Sequence, residues 1–324
     1  MVFTQILCRI AFLLWVSTLV SCTTYRTLPI EILEPAKIVL EPGKKVALLD
    51  RNIRYPDHKK MFINYIPELD RAYAFQEFSN GINYILTGSN YLDTALLLQE
   101  KGSSFVPDST MPSPLNIDSV RSLCETFHVD YLISVEVQFY NMENRGSELK
   151  NNWFIRLYAK DKTSPLDSIL LQDRIDEAYI SNEEFAYYVL DGTWGLGVNY
   201  AERIVPHWGQ TERRVYCKGK VLGVGDACLQ ANNPEEAYRI WFGAMQIPGK
   251  TAILAAMNLA WLYENNTDFE GALSFLLQAQ KMASTVKIDT GEKNYLEQYI
   301  EIIRKRIADK ELLDQQQAAE ESLN

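Results

Sequence analysis

Between Lys218 and Ala283 apolar and polar positions alternate with a helical period, and they do so in two copies. Asn-Pro-Glu-Glu-Ala (Asn233 to Ala237) is followed by Trp241 and Ala244, and Asp-Phe-Glu-Gly-Ala (Asp268 to Ala272) by Leu276 and Ala279. Ala237 and Ala272 stand 35 positions apart, and each is followed by a bulky apolar residue and then an alanine at the same offsets. Small residues at such positions let antiparallel helices approach closely, while the bulky residue fills the gap beside them. Upstream, Gly225 with Cys228 and Ala260 with Tyr263 repeat a small-then-larger pair, and Pro248-Gly249 supplies a turn between the copies. A further helix, Glu292 to Leu313, carries Tyr295, Tyr299, Ile302, Ile303 and Ile307 at helical spacing and is placed to cap the stack. The polar tail 314–324 is expected to fray.

Residues 44 to 216 follow a different pattern. Lys45 to Asp50 is a short apolar run bounded by charge, as in a buried strand. Asp70 to Thr87 carries Ala74, Phe75, Phe78, Ile82, Ile85 and Leu86 at helical spacing, and Leu92 to Lys101 extends a helical pattern after the break Gly88-Ser89-Asn90. Met111-Pro112-Ser113-Pro114 reads as a loop. Asn116 or Asp118 is then placed to cap a helix bearing Val120, Leu123, Cys124 and Phe127. Next comes a strand with Tyr131, Ile133, Val135, Val137 and Phe139 on one face and Ser134, Glu136 and Gln138 on the other. Trp153–Lys160 and Ser168–Ile175 follow as a hairpin around the turn 161–165. Ser181 with Glu184 forms a capping box for a closing helix. The order predicts an α+β or α/β domain, a mixed sheet with helices, followed by an all-α domain.

The repeated stretch resembles a pair of tetratricopeptide repeats. Val221 and Ala256 stand where that family usually has an early Trp, and the period is one residue long. The resemblance implies that the first helices line a concave groove for a segment of another protein. Carried over position by position, the groove holds Asp226 and Gln230, with Leu222 and Leu229, from the first repeat. From the second it holds Leu254, Met257, Asn258, Trp261 and Asn265. Chaperone-type repeats grip a C-terminal carboxylate with Lys, Asn and Arg at these points. Here Leu222, Gly223, Asp226, Met257 and Asn258 occupy them, so the resemblance implies an apolar or mildly basic segment, centred on Trp261 and Met257. Cover by the C-terminal helix is the competing reading of the same side chains.

The N-terminus bears on compartment. Arg9 precedes the apolar run Ile10 to Val20, too short to span a bilayer but suited to a signal-peptide core. Leu19-Val20-Ser21-Cys22 resembles the bacterial lipobox, which implies removal of residues 1–21 and lipidation of Cys22. Acyl chains at about 0.8 kcal/mol per buried methylene make a lasting anchor. Residues 22–43, with Pro29, Pro35 and Pro42, then read as an extended tether. Thr-Thr-Tyr-Arg after Cys22 lacks the acidic cluster of surface-exported Bacteroidota lipoproteins, which the layout resembles, and this favours an outer-membrane anchor facing the periplasm.

Composition agrees with a chain that can bury a core, with 47% hydrophobic and 23% charged residues. A formal charge of −10 without a clustered basic face argues against nucleic acid and against electrostatic adhesion to anionic lipid. Beyond Cys22 the mature chain keeps Cys124, Cys217 and Cys228. Cys217 and Cys228 could pair, but buried thiols fit the repeat core better.

Chemistry is sparse. His58, His128 and His207 are far apart in sequence, without metal-ligand spacing. No nucleophile elbow or metalloprotease motif occurs. Gly-Thr-Trp-Gly-Leu-Gly (Gly192 to Gly197) lacks the strand and Lys-Ser/Thr of a phosphate loop and reads as close helix packing. Pro206 to Tyr216 reads as a linker in which Trp208 and Tyr216 pack while Arg213 and Arg214 pair with acids. No cofactor or metal is implied, and no catalytic residue. The expected role is that of an anchored interaction module for another envelope protein or peptide segment. One alternative is an oligomeric component of an outer-membrane secretion or assembly system, since residues 44–180 resemble in layout the periplasmic domain of curli-secretion-type lipoproteins. The other is an enzyme or small-ligand binder using that domain.

Overall fold

The computed structural model describes residues 24–51, 68–93, 95–99, 112–143, 148–176 and 185–321. In chain order the strands are β1 (Tyr25–Glu34), β2 (Val46–Asp50), β3 (Leu96–Gln99), β4 (Tyr131–Glu143), β5 (Glu148–Ala159), β6 (Asp167–Asp176) and β7 (His207–Tyr216). The helices are α1 (Glu68–Ser89), α2 (Ile117–Phe127), α3 (Phe185–Ala201), α4 (Lys220–Gln230), α5 (Pro234–Met245), α6 (Lys250–Asn265), α7 (Phe269–Ala283) and α8 (Thr290–Glu321). The chain is thus a mixed sheet with helices followed by an all-helical region. It forms two compact units, Leu33–Trp208 with Leu312–Asn324, and Met1–Ile32 with Gly209–Glu311.

The sheet of the first unit runs β3-β2-β4-β5-β6. β2 is parallel to both β3 and β4, and β4, β5 and β6 follow antiparallel. The apolar run of β2 is central because it can be buried on both faces. Val46 and Leu48 pack with α1 and α3, while Ala47 and Leu49 pack with Val120 and Cys124 of α2. Asn116 caps α2, its side chain accepting from the Ser119 N–H at 2.7 Å. Leu96 to Gln99 was expected to be helical. It pairs with β2 instead, because three consecutive leucines beside an open strand edge gain ladder bonds that outweigh helix propensity. The capping box at Ser181 and the loop residue Met111 lie outside the described residues.

α1 and α3 cross at glycines. A β-carbon on Gly81 would sit 2.1 Å from the Trp194 carbonyl oxygen, and one on Gly197 would sit 2.1 Å from that of Phe78. Within the continuous helix α3, Gly197 is therefore a helix-packing position, whereas Gly192 faces the Asp173 side chain and Gly195 meets nothing within 4 Å. Phe78 in turn stacks on Trp153, with centroids 4.7 Å apart, on the inner face of the sheet.

The face assignment of β4 needs a correction. The ladder shifts between Val135 and Val137, so that Val135 faces Ile155 but Val137 faces Phe154. Ile155 points to the α1–α3 side, so the bulge turns Val137 away from Tyr131, Ile133 and Val135. An alternation rule cannot foresee an extra residue in one strand.

In the helical unit, α4–α5 and α6–α7 are packed hairpins. Asn233 and Asp268 cap α5 and α7 by accepting from the Glu236 N–H at 3.2 Å and the Gly271 N–H at 2.8 Å. Ala237, Trp241, Ala244, Ala272, Leu276 and Ala279 are all buried, as the repeated spacing requires. Gly225 is needed because a β-carbon there would meet the Trp241 indole nitrogen at 2.3 Å. That nitrogen donates to the Leu222 carbonyl at 3.3 Å. Leu296, Tyr299, Ile300 and Ile303 of α8 close the same core. As far as the described residues reach, the polar tail is helical and does not fray. α8 continues to Glu321, and Gln316 is buried, its amide bonded to the Ala36 backbone N–H and carbonyl at 3.3 Å each.

The segment expected to be a tether is largely structured. Its residues 25–34 form β1, which pairs with β7 in a two-stranded ribbon belonging mostly to the helical unit. Further on, the Ile38 N–H donates to the Arg203 carbonyl at 2.9 Å and the Gly43 N–H to the Tyr91 carbonyl at 2.8 Å.

Gly197→Ala should destabilise the mixed unit by about 1–3 kcal/mol, the range for overpacking. Gly195→Ala, where a β-carbon meets nothing within 4 Å, should be neutral or stabilising by up to about 1 kcal/mol. Denaturant unfolding of the two variants separates them, and equal effects would contradict the crossing.

Candidate functional site

The first-helix face of the repeat pair, expected to be an open groove, is filled by the chain's own ribbon. Leu254, Met257, Asn258 and Trp261 on α6 and Asp226 on α4 are buried, whereas Gln230 and Asn265 are exposed. The polar members explain why. Asn258 acts as a surrogate strand, its Oδ1 accepting from the Tyr216 N–H at 2.7 Å and its Nδ2 donating to the Tyr216 carbonyl at 2.8 Å. Asp226 is paired with Arg26 of β1 at 2.6 Å and accepts from the Gln230 amide at 2.7 Å. Buried groups of this kind require partners, and the ribbon provides them. The groove assignment is corrected accordingly: a free segment could reach Asp226 and Asn258 only by displacing β1 and β7, and Leu254, Met257 and Trp261 are buried in the core that includes Ile30, Val215 and Tyr216 of that ribbon. Cys22 lies outside the described residues.

At the centre of this face stands Glu264, missed by the sequence reading because a single acid at a helix end looks like a solvated charge. It is 1% exposed and accepts four hydrogen bonds. Arg213 of β7 holds it in a fork, Nε at 3.1 Å and Nη2 at 3.0 Å. Arg306 of α8 donates at 2.8 Å and the Tyr299 hydroxyl at 2.7 Å. Burial, then the Glu264 charge, pushes the Tyr299 pKa far up, so the phenol stays a donor across the working pH range. The neighbouring Arg214 lies between the rings of Tyr25 and Tyr295, 4.5 and 4.4 Å from their centroids. Pro206 to Tyr216 was expected to be a linker, but from His207 onward it is strand β7. Tyr216 packs and Arg213 finds an acid as foreseen, whereas Trp208 is 70% exposed and Arg214 stacks between two tyrosine rings, with no ion pair among the described residues.

A second buried acid sits on the bulge of β4. Glu136, fully buried, accepts from Arg51 at 2.5 Å and from the Tyr158 hydroxyl at 2.9 Å. Tyr158 in turn accepts from the Leu115 N–H at 3.1 Å, and Arg156 donates to the Pro112 carbonyl at 2.6 Å. The cluster ties the loop before α2 to the sheet. Burial raises the Glu136 pKa, and the arginines act against that rise. The same unit holds a cavity of about 310 Å³ lined by Leu40, Tyr91, Tyr131, Leu166, Asp161 and Lys162. Both tyrosine hydroxyls are engaged in its wall, Tyr91 donating to the Leu40 carbonyl at 2.8 Å and Tyr131 accepting from the Glu41 N–H at 3.0 Å.

Among the described residues no three His, Cys, Asp or Glu side chains are grouped to hold a metal ion. Cys124, Cys217 and Cys228 form no disulfide among the described residues, Cys124 being buried and the other two half-buried. Burial pushes the Cys124 thiol up to about 11.

The model of a family described as Domain of unknown function (DUF8603) matches residues 44–216, and that of Domain of unknown function (DUF6340) matches residues 224–305. Neither description names an enzymatic activity. No curated protein matches the chain. Among solved structures, the PelC dodecamer from Paraburkholderia phytofirmans is 12% identical, with 56% of this chain and 99% of that one covered at a TM-score of 0.30. The hypothetical protein CT253 from Chlamydia trachomatis is 16% identical, with 44% and 79% covered at 0.25.

Glu264→Ala should cost the helical unit about 3–5 kcal/mol, because two buried guanidinium groups lose their counter-charge. Arg26→Ala, at a pair whose arginine side chain is 31% exposed, should cost less. Unfolding monitored in the helical transition orders the two, and a reversed order would contradict the cluster. For Glu136 the folded pKa lies above its ordinary 4.5, so the folded state binds the proton more tightly. Stability from this group is therefore present at low pH and lost as pH rises from 4.5 through the raised value. Glu136→Gln should flatten that limb of a stability–pH curve, and an unchanged slope would contradict the assignment.

Proposed function

The chain belongs to the family described as Domain of unknown function (DUF8603), whose model matches residues 44–216, and on that premise we propose a lipid-anchored envelope protein that binds or assembles other envelope proteins. The observation that carries the reading is the register of small residues in two helical hairpins, Gly225 against Trp241 and Ala237, Ala244, Ala272 and Ala279 at the core. That register supports the tetratricopeptide resemblance, and the resemblance brings a binding role with it. The Leu19 to Cys22 motif brings the anchor, with Cys22 acylated and the protein on the outer membrane facing the periplasm. In this reading the protein is not an enzyme, and it uses no cofactor and no nucleic acid.

The partner segment does not take the first-helix groove, because β1 and β7 already satisfy its polar groups. Contact falls instead on outer faces, where Phe242 and Leu277 are each 40% exposed on α5 and α7. A second reading, an oligomeric component, is favoured by β6. This strand of ten residues ends the sheet, with Leu170 43% exposed, and among the described residues no strand pairs with its outer edge. Native mass in detergent separates the two, a monomer excluding the second.

Cys22→Ser tests the anchor directly. The wild-type protein should take up labelled palmitate and sediment with membranes, and the variant should do neither. If the variant sediments as before and the wild type carries no acyl label, the proposed anchoring is wrong.

A further inference from the structure

Once β1 is seen as part of the helical unit, the sequence leaves almost no slack between that unit and a lipidated Cys22. The Thr24 carbonyl accepts from the Cys217 N–H at 3.2 Å and the Lys218 N–H at 3.4 Å, so the chain is fixed to the helical unit from Thr24 onward. Thr24 is two positions after Cys22. At roughly 3.3–3.6 Å per residue the anchor can lie no more than about 7 Å from this point. Whatever end of the unit carries Thr24 must therefore meet the membrane.

That end can be identified. It holds the start of α4, and because the helices run up and down it also holds the α5–α6 and α7–α8 turns. Two contacts fix this: the Trp241 indole donates to the Leu222 carbonyl across the first hairpin at 3.3 Å, and Lys250 at the start of α6 reaches Asp289 before α8 at 2.6 Å. The surface there is apolar and basic. Val221 and Val224 lie one helical turn apart on α4, 41% and 49% exposed, and Ile247 in the α5–α6 turn is 70% exposed. Lys218 and Lys220 are exposed beside them, and the first turn of α4 contains no acid. The acids at this end, Asp289 and Glu292, both reach Lys250, at 2.6 and 2.9 Å, which offsets one of their two charges. Asp226, the acid within α4, is buried against Arg26.

We propose that this end of the helical unit is a membrane-contact surface, with Val221, Val224 and Ile247 at the headgroup–acyl boundary of the bilayer and Lys218 and Lys220 on lipid phosphates. Apolar side chains flanked by lysine suit that boundary. A bilayer is chosen over a second copy of the chain because the anchor emerges at this end and at no more than two residues' distance. The inference rests on the lipid anchoring proposed above and adds an orientation to it: the helical unit is held down on the membrane, not suspended on a leash.

The test uses full-length lipidated protein in vesicles of phosphatidylethanolamine and phosphatidylglycerol, with a photo-reactive benzoylphenylalanine at Val224, Ile247 or Glu235. Glu235 lies in the first turn of α5, at the opposite end of the first hairpin, ten residues or about 15 Å along the helix from Met245 beside Ile247. Acylation of Cys22 is read independently by the mass of its peptide. The expected result is lipid adducts from Val224 and Ile247 at least tenfold above those from Glu235. Acylated protein with equal adducts from all three positions overturns the membrane-contact surface and leaves the anchor standing. An unacylated Cys22 overturns both. Two independent positions keep the test decisive if one substitution disturbs folding.

Discussion

Asn258 and Glu264 place an amide and a carboxylate on the buried face of α6, and neither can stay dry without partners. This constraint organises the helical unit. An open solenoid groove would let water satisfy them, but this chain buries both and covers them with β1 and β7. The Tyr216 backbone then bonds to Asn258 as it would to a neighbouring strand. Arg213 meets Glu264 in a fork while Arg306 and Tyr299 complete the shell from α8. Removing a bonding partner from such a cluster leaves a desolvated charge, so the ribbon, the second hairpin and the last helix stand or fall together.

The mixed unit is held by apolar layers, with polar groups used to fasten loops. β2 is buried on both faces because helices cover both sides of the sheet. Gly81 and Gly197 let α1 and α3 touch backbone to backbone, which brings Phe78 down onto Trp153. The bulge at Glu136 breaks the alternation of β4 and aims an acid at Arg51, Tyr158 and, through them, the loop ahead of α2. All the polar groups named here are used up in holding structure.

Much of this was legible in the order of residues. Ala237, Trp241, Ala244 and their counterparts announced helix pairs because small-against-large packing needs a fixed spacing. Asn116 announced a helix start because a short polar side chain there can accept from an unpaired first-turn N–H. What failed to show were long-range pairings. Nothing local in Tyr25 to Glu34 reveals that β7, nearly two hundred residues later, will pair with it, so prolines suggested a tether. Leu96 to Gln99 looked helical until β2 was there to bond with. Asp226 and Met257 looked like groove residues because family position predicts which face they occupy but not what covers that face. Glu264 escaped notice because its three partners, Arg213 on β7 and Tyr299 and Arg306 on α8, lie far from it in sequence.

The account turns on the ribbon being an integral part of the helical unit. Native-state hydrogen exchange on the full chain measures this directly, amide by amide. The account predicts that ladder amides of β1 and β7, with the Tyr216 N–H among them, exchange only through the same opening that releases the buried amides of α6. If the β1 amides exchange at the rate of an unstructured peptide while α6 remains protected, the ribbon is a tether after all and the covered groove is open.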